Sequence, residues 1–125
     1  MTNKTASKRI LLVDDDKDMC ESLSDVLTLD SSYNVTYATD PFKALEMVQT
    51  EDYSLIILDY KMPGMNGVEL LKRMKKIKPE LPIFMLTAFI SNELIAQAKK
   101  EGAARVLSKF IWPDEILKCI KETIN

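Results

Sequence analysis

The run Leu55-Ile56-Ile57-Leu58 stops at Asp59 and is followed at once by Met62-Pro63-Gly64-Met65-Asn66-Gly67. Four consecutive apolar residues have the length of a strand and no polar face, so a strand there is covered on both sides, and the Pro and Gly that follow mark a tight turn. The same pattern recurs twice. Ile10-Leu11-Leu12-Val13 runs into Asp14-Asp15-Asp16, and Ile83-Phe84-Met85-Leu86 runs into Thr87. Two weaker runs, Val35-Thr36-Tyr37-Ala38 and Val106-Leu107, complete the set, the last ending in Ser108-Lys109.

Between these runs the apolar period changes from strand to helix. Met19, Leu23, Val26 and Leu27 fall at helical offsets, as do Leu70, Met74 and Ile77, and Ile116, Leu117, Ile120 and Ile124. Asp40-Pro41 reads as an N-cap with Pro at the first helical position, Pro113 after Trp112 reads similarly, and Gly102 is placed to end a helix beginning near Ser91. Alternating strands and helices require parallel pairing with right-handed crossovers, so the predicted architecture is a doubly wound α/β sandwich. Ligands of such sheets bind outside the carboxyl ends of the strands, where strand order reverses. Bringing Asp14 and Asp15 beside Asp59 requires the first strand to neighbour the third, which gives the order 2-1-3-4-5.

A chain of 125 residues has room for one domain, and 46% hydrophobic against 29% charged residues is ordinary for a packed core. Residues 1–8 are small and polar and are expected to form a flexible tail, leaving residues 9–125 as the folded unit. The balance of 17 Lys and Arg against 19 Asp and Glu gives no electrostatic footprint for direct nucleic-acid binding or an anionic membrane. The absence of histidine excludes Ser-His-Asp and Cys-His nucleophiles and any His-ligated metal. Cys20 and Cys119 lack CxxC spacing and are expected to be reduced thiols. With no signal peptide and no apolar run near the ~18 residues of a membrane span, the expected location is the cytoplasm.

Three carboxylates at one sheet edge repel each other, so a cation belongs among them. Oxygen ligands without His or Cys match Mg²⁺ (or Mn²⁺), which binds one or two carboxylates together with water and phosphate oxygens. Lys109 supplies a second, fixed positive charge and Thr87 a hydroxyl, while small Ala88 leaves space beside it. Such a set suits a phosphoryl group, with an Asp as nucleophile and the cations on the equatorial oxygens. The glycines Gly64, Gly67 and Gly102 form neither GxGxxG nor a P-loop, so side chains and metal must hold the phosphate.

These residues resemble the receiver domain of bacterial two-component response regulators, CheY-like proteins. The matching motifs are Leu12-Val13-Asp14-Asp15-Asp16, Leu58-Asp59-Tyr60-Lys61-Met62-Pro63-Gly64-Met65-Asn66-Gly67, Leu86-Thr87-Ala88 and Lys109, over about residues 8 to 123. The resemblance implies a flavodoxin-like (βα)5 fold in which Asp59 accepts a phosphoryl group from the phosphohistidine of a sensor kinase or phosphotransfer protein. It implies that Asp15 and Asp59 ligate Mg²⁺, that Asp14 helps through water, and that the main-chain carbonyl of Lys61 completes the protein ligands. Thr87 and Lys109 are implied as the groups that turn toward the phosphoryl oxygens. Such a domain catalyses only its own phosphorylation and dephosphorylation, so no turnover enzyme is expected. It relays its state through the fourth helix, fifth strand and fifth helix to a downstream protein, as a monomer or a phosphorylation-induced dimer.

Two positions depart from the family pattern. Val106 stands where an aromatic usually partners the Thr, and Phe110 follows Lys109 where the family has a cis proline. A cis bond without proline costs about 2.5 to 4 kcal/mol, so the loop is expected to be trans and rearranged, or strained, with Lys109 less well aimed. Lys61 and Phe89 flank the path of an attacking water in this family, and their bulk points to a long-lived phosphoaspartate. Lys72, Arg73, Lys75, Lys76 and Lys78 read as a solvated helix face, and Phe110 and Trp112 as either an exposed partner patch or partial core packing. Val106 and Phe110 also favour an alternative, a degenerate receiver that signals by docking alone. An aspartyl-nucleophile phosphatase of the haloacid dehalogenase type is disfavoured, because Lys61 stands where those enzymes commonly carry a second Asp.

Overall fold

The computed structural model describes residues 8–124. Strands and helices alternate as β1 (Lys8–Val13), α1 (Lys17–Leu27), β2 (Tyr33–Ala38), α2 (Pro41–Thr50), β3 (Leu55–Asp59), α3 (Gly67–Ile77), β4 (Ile83–Thr87), α4 (Asn92–Lys100), β5 (Arg105–Ser108) and α5 (Pro113–Ile124). All neighbours pair in parallel, in the order β2-β1-β3-β4-β5. The predicted fold class and strand order are therefore observed, and the reversal point lies between β1 and β3.

The unbroken apolar runs explain the layering. Alternate side chains of one strand point to opposite faces. Ile56 and Leu58 of β3 join Leu11, Val13 and Met85 against α2, α3 and α4, whereas Leu55 and Ile57 join Ile10, Leu12 and Phe84 against α1 and α5. Burying a large aliphatic side chain contributes roughly 1.5–3 kcal/mol, so the two-sided runs of β1, β3 and β4 anchor both layers at once.

Helix termini follow local chemistry. Asp16 caps α1 by accepting from the Asp18 and Met19 amides, Asp40 caps α2 ahead of Pro41, and Ser91 caps α4. Gly102, with φ +104, ends α4, its amide donating to the Lys99 carbonyl while the Ala103 amide reaches Ala98. Those two bonds satisfy carbonyls that the helix leaves open, and the left-handed conformation suits Gly. Asn66, read from sequence only as part of a turn, proves to cap α3 through the Glu69 amide.

The expected tail lies outside the described residues except at Lys8, which begins β1 two residues before the apolar run Ile10 to Val13 and one before the expected start of the folded unit. Lys8 pairs in register with Tyr33 and its ammonium donates to the Ile124 carbonyl at 2.7 Å, contacts that only the folded chain supplies. Among the described residues no helix is long and apolar enough to cross a membrane.

Candidate functional site

Register fixes the site. Val13 pairs with Leu58, Asp59 with Leu86 and Thr87 with Ser108, so Asp14, Asp59, Thr87 and Lys109 emerge side by side at the carboxyl edge. Among the described residues only three polar side chains are buried, Asp14 (8% exposed), Asp59 (5%) and Thr87 (3%), and all belong to this edge. Asp15 is exposed at the rim. One oxygen from each of Asp14, Asp15 and Asp59 can be chosen so that all three lie within 4.8 Å of one another.

Lys109 bridges the buried pair, its ammonium 2.9 Å from Asp14 and 3.2 Å from Asp59. One ammonium facing three carboxylates leaves negative charge unbalanced. Burial pushes the Asp59 carboxyl above the ordinary carboxylate range, and the Asp14 charge pushes it further, against the pull of Lys109. Burial alone lowers the Lys109 ammonium, but its bond to Asp14 and the Asp59 and Asp14 charges raise it above its ordinary value. Both shifts have the same physical origin, a surplus of carboxylate in a partly desolvated pocket. A hard divalent cation fits this donor set, since it needs oxygen ligands and supplies the missing charge.

The loop after β5 is trans, and among the described residues there is no cis peptide bond. The Lys109 amide donates to the Thr87 carbonyl at 2.9 Å, and Ser108 closes the turn by accepting from the Phe110 and Ile111 amides. Lys109 thus stays anchored to β4 beside the carboxylates, and the expected misaiming is not found. The alternative of partial core packing also fails for Phe110 and Trp112, which are 79% and 72% exposed. Ile111 between them turns inward against the α1–α5 layer, so its neighbours point out.

Around these groups lies a hollow of about 680 Å³, reaching from Asp14 and Lys109 past Thr87 to Lys61, Phe89 and Gln97. The Thr87 hydroxyl accepts from the Phe89 amide at 3.2 Å, which ties it to the β4–α4 loop. A second hollow, about 400 Å³, lies around Tyr53 and Leu81 on the loops that lead into β3 and β4. Two of its acids are paired, Asp52 with Lys78 and Glu51 with Arg9.

Gly67 is the site residue whose importance the sequence reading did not see. Its amide bonds the Tyr60 carbonyl at 2.6 Å, and a Cβ there would collide with the Asp59 carbonyl oxygen and lie 2.8 Å from the Tyr60 Cα. Only the Met62 to Gly67 turn spacing hinted at it.

The two thiols are free, as expected. Cys20 is buried beneath the site and donates to the Asp14 carbonyl at 3.4 Å. Burial, reinforced by the Asp14 charge, pushes its thiol up to about 11. Since the thiolate is the reactive form, native protein at pH 8 is expected to label at the half-buried Cys119 while Cys20 reacts only in denaturant. Peptide mapping after a timed maleimide pulse checks this.

A family model described as the response regulator receiver domain matches residues 10–121. Sporulation initiation phosphotransferase F of Bacillus subtilis (strain 168) is 34% identical over 116 residues, covering 93% of this chain and 93% of that protein. The response regulator receiver protein CpdR of Brucella abortus (strain 2308) is 39% identical over 102 residues, covering 82% and 84% respectively. The CheY-like receiver domain protein of Methanospirillum hungatei JF-1 superposes with a TM-score of 0.90 at 32% identity, over 95% of this chain and 94% of that one.

Proposed function

Because this chain belongs to the response regulator receiver domain family, we propose that it is a phosphorylation-dependent switch whose acceptor is Asp59, charged from the phosphohistidine of a sensor kinase or phosphotransfer protein. The carrying observation is the bridge from Lys109 to Asp14 and Asp59 beside the rim carboxylate of Asp15.

An Asp59 carboxylate oxygen attacks phosphorus in line, forming the O–P bond as the P–N bond to the donor imidazole breaks. Asp15, Asp59 and the Lys61 carbonyl, with Asp14 acting through water, would hold Mg²⁺, which would supply positive charge to the phosphoryl oxygens. Lys109 turns from Asp14 and Asp59 to a phosphoryl oxygen, and the Thr87 hydroxyl donates to another. Thr87 is bonded through its hydroxyl to the Phe89 amide and through its carbonyl to the Lys109 amide. Any shift of Thr87 therefore pulls on the loops that lead into α4 and α5, which gives the relay through α4, β5 and α5 a path that needs no aromatic at Val106. The chemistry is confined to the protein's own aspartate, so the chain is a switch rather than a turnover enzyme, acting on a downstream protein as a monomer or as a phosphorylation-induced dimer.

The degenerate docking module keeps one observation in its favour, Val106 on β5. Buried carboxylates held beside a cation are costly unless used, and that weighs for the acceptor. Wild-type protein that forms no adduct with acetyl phosphate and Mg²⁺ contradicts the acceptor reading.

Lys61 and Phe89 both line the hollow over Asp59. Replacing Phe89 by Ala, alone and with Lys61→Ala, is expected to shorten the phosphoaspartate half-life by about tenfold, by opening the water path. Loss of the phosphoryl mass with time after donor removal checks it, and an unchanged half-life sinks the shielding role.

A further inference from the structure

We propose that Asn66-Gly67 is a self-modification site: the Asn66 side chain deamidates when the turn between β3 and α3 opens, and the isoaspartyl product disables the end of β3 that carries Asp59. The modification itself goes beyond the switch reading. Only its effect on phosphoryl uptake rests on Asp59 being the acceptor.

Asn66 is the one asparagine in the chain that is followed by glycine. Glycine has no Cβ to shield its amide nitrogen and its backbone turns freely, so the local sequence does not keep the Gly67 nitrogen from the Asn66 side-chain carbonyl. After losing its proton to base, that nitrogen attacks the carbonyl carbon. The new C–N bond closes a five-membered succinimide, and the side-chain amide nitrogen leaves as ammonia, taking a proton from water. Water then adds to one of the two imide carbonyls and opens the ring. One opening gives aspartate. The other gives isoaspartate, whose main chain runs through the former side chain and is longer by one methylene.

The folded turn opposes each of these requirements. The Gly67 amide donates to the Tyr60 carbonyl at 2.6 Å, which shelters the proton that must leave. The Asn66 side-chain oxygen accepts from the Glu69 amide at 3.0 Å, and the Asn66 backbone is extended, with φ −75 and ψ 165. Ring closure therefore needs the α3 cap to break and the chain to rotate at Asn66. The Asp59 carbonyl oxygen and Tyr60 Cα lie so close to Gly67 that no Cβ fits, which leaves Gly67 no room for that rotation. Reaction thus proceeds through a local opening of the turn, and its rate is set by how rarely the turn opens.

The two products differ in what they do to the site. Aspartate caps a helix as well as asparagine does. In isoaspartate the carbonyl that capped α3 has become part of the main chain, so the cap and the Gly67 to Tyr60 bond cannot both form again. The start of α3 is then displaced from the Asp59–Tyr60 backbone.

The test holds native protein and urea-unfolded protein at the same mildly alkaline pH and temperature and maps the peptide containing Asn66. The unfolded chain should gain one mass unit there, with isoaspartate detected by isoaspartyl methyltransferase labelling, and the native protein should do so at least about tenfold more slowly. Asn66→Ser, which keeps a capping side chain but has no amide to lose, should show no change. After refolding and separation, the isoaspartyl form is expected to take up phosphoryl from acetyl phosphate and Mg²⁺ about 100-fold more slowly than unmodified protein. Asn66→Asp, the mimic of the other product, is expected to stay within about twofold of wild type. An isoaspartyl form that cannot refold while Asn66→Asp refolds supports the same conclusion.

Equal deamidation rates in native and unfolded protein overturn the lock, and an unfolded chain unmodified at Asn66 overturns the site. An isoaspartyl form that accepts phosphoryl at the wild-type rate overturns its disabling effect. Unmodified protein that accepts nothing from acetyl phosphate contradicts the acceptor assignment and leaves the mass result standing, so the two readings fail separately.

Discussion

Asp59→Asn is expected to take up no phosphoryl group from any donor while keeping its fold. Asn retains an acceptor for Lys109 but has no nucleophilic carboxylate. The variant should also be at least as stable as wild type near neutral pH without divalent cations. Burial and the Asp14 charge raise the Asp59 pKa in the folded state, so the folded protein holds that proton more tightly than the unfolded chain. The resulting stabilisation is present at low pH and is lost as pH rises from the unfolded carboxyl value through the raised folded one. At neutral pH the ionised Asp59 therefore weakens the fold, and Asn removes that penalty. Thermal midpoints between pH 4 and 8 should show wild type losing ground to Asp59→Asn as pH rises. Parallel curves would contradict the electrostatic account of the site.

Gly67→Ala is the second large effect, and it acts through backbone. The added Cβ meets the Asp59 carbonyl oxygen and the Tyr60 Cα, with the Met85 sulfur 3.0 Å away. Only the sulfur can yield cheaply. Overpacking of this kind costs typically 1–3 kcal/mol, partly offset by the better helix propensity of Ala at the start of α3. A net loss of about 2 kcal/mol, or on the order of 10 °C in Tm, is expected. The segment that must move carries the acceptor, and a displacement near 1 Å can cost about 100-fold in rate. Gly64→Ala is the control. Its φ of +86 disfavours Ala, yet the new Cβ meets only the Phe42 ring edge at 3.4 Å, so stability falls by about 1 kcal/mol while phosphoryl uptake is kept. Thermal unfolding and uptake rates on the two variants check the contrast.

Much of the fold was legible because β1, β3 and β4 are apolar on both faces and stop at polar residues. That pattern needs no tertiary information. Asp40-Pro41 and Gly102 were legible for the same reason, since caps are local chemistry. The strand order came from requiring Asp14, Asp15 and Asp59 to meet, an argument from charge rather than propensity. What escaped was set by contacts distant in sequence. Gly67 matters because α3 begins against the Asp59–Tyr60 backbone, and no local rule announces that approach. The aim of Lys109 was misjudged because the missing proline was weighed alone, whereas the Lys109 amide bond to Thr87 and the Ser108 turn hold the loop without it. The outward Phe110 and Trp112 follow from Ile111 packing between α1 and α5, a choice invisible in a run of three apolar residues.

The most direct measurement is the intact mass of wild-type protein after incubation with acetyl phosphate, with and without Mg²⁺, followed by peptide mapping of the modified residue. One phosphoryl adduct that requires Mg²⁺ and maps to Asp59 is the expected result. A folded protein that stays unmodified, or an adduct on another residue or independent of the metal, would contradict the assignment of this carboxylate cluster as a phosphoacceptor.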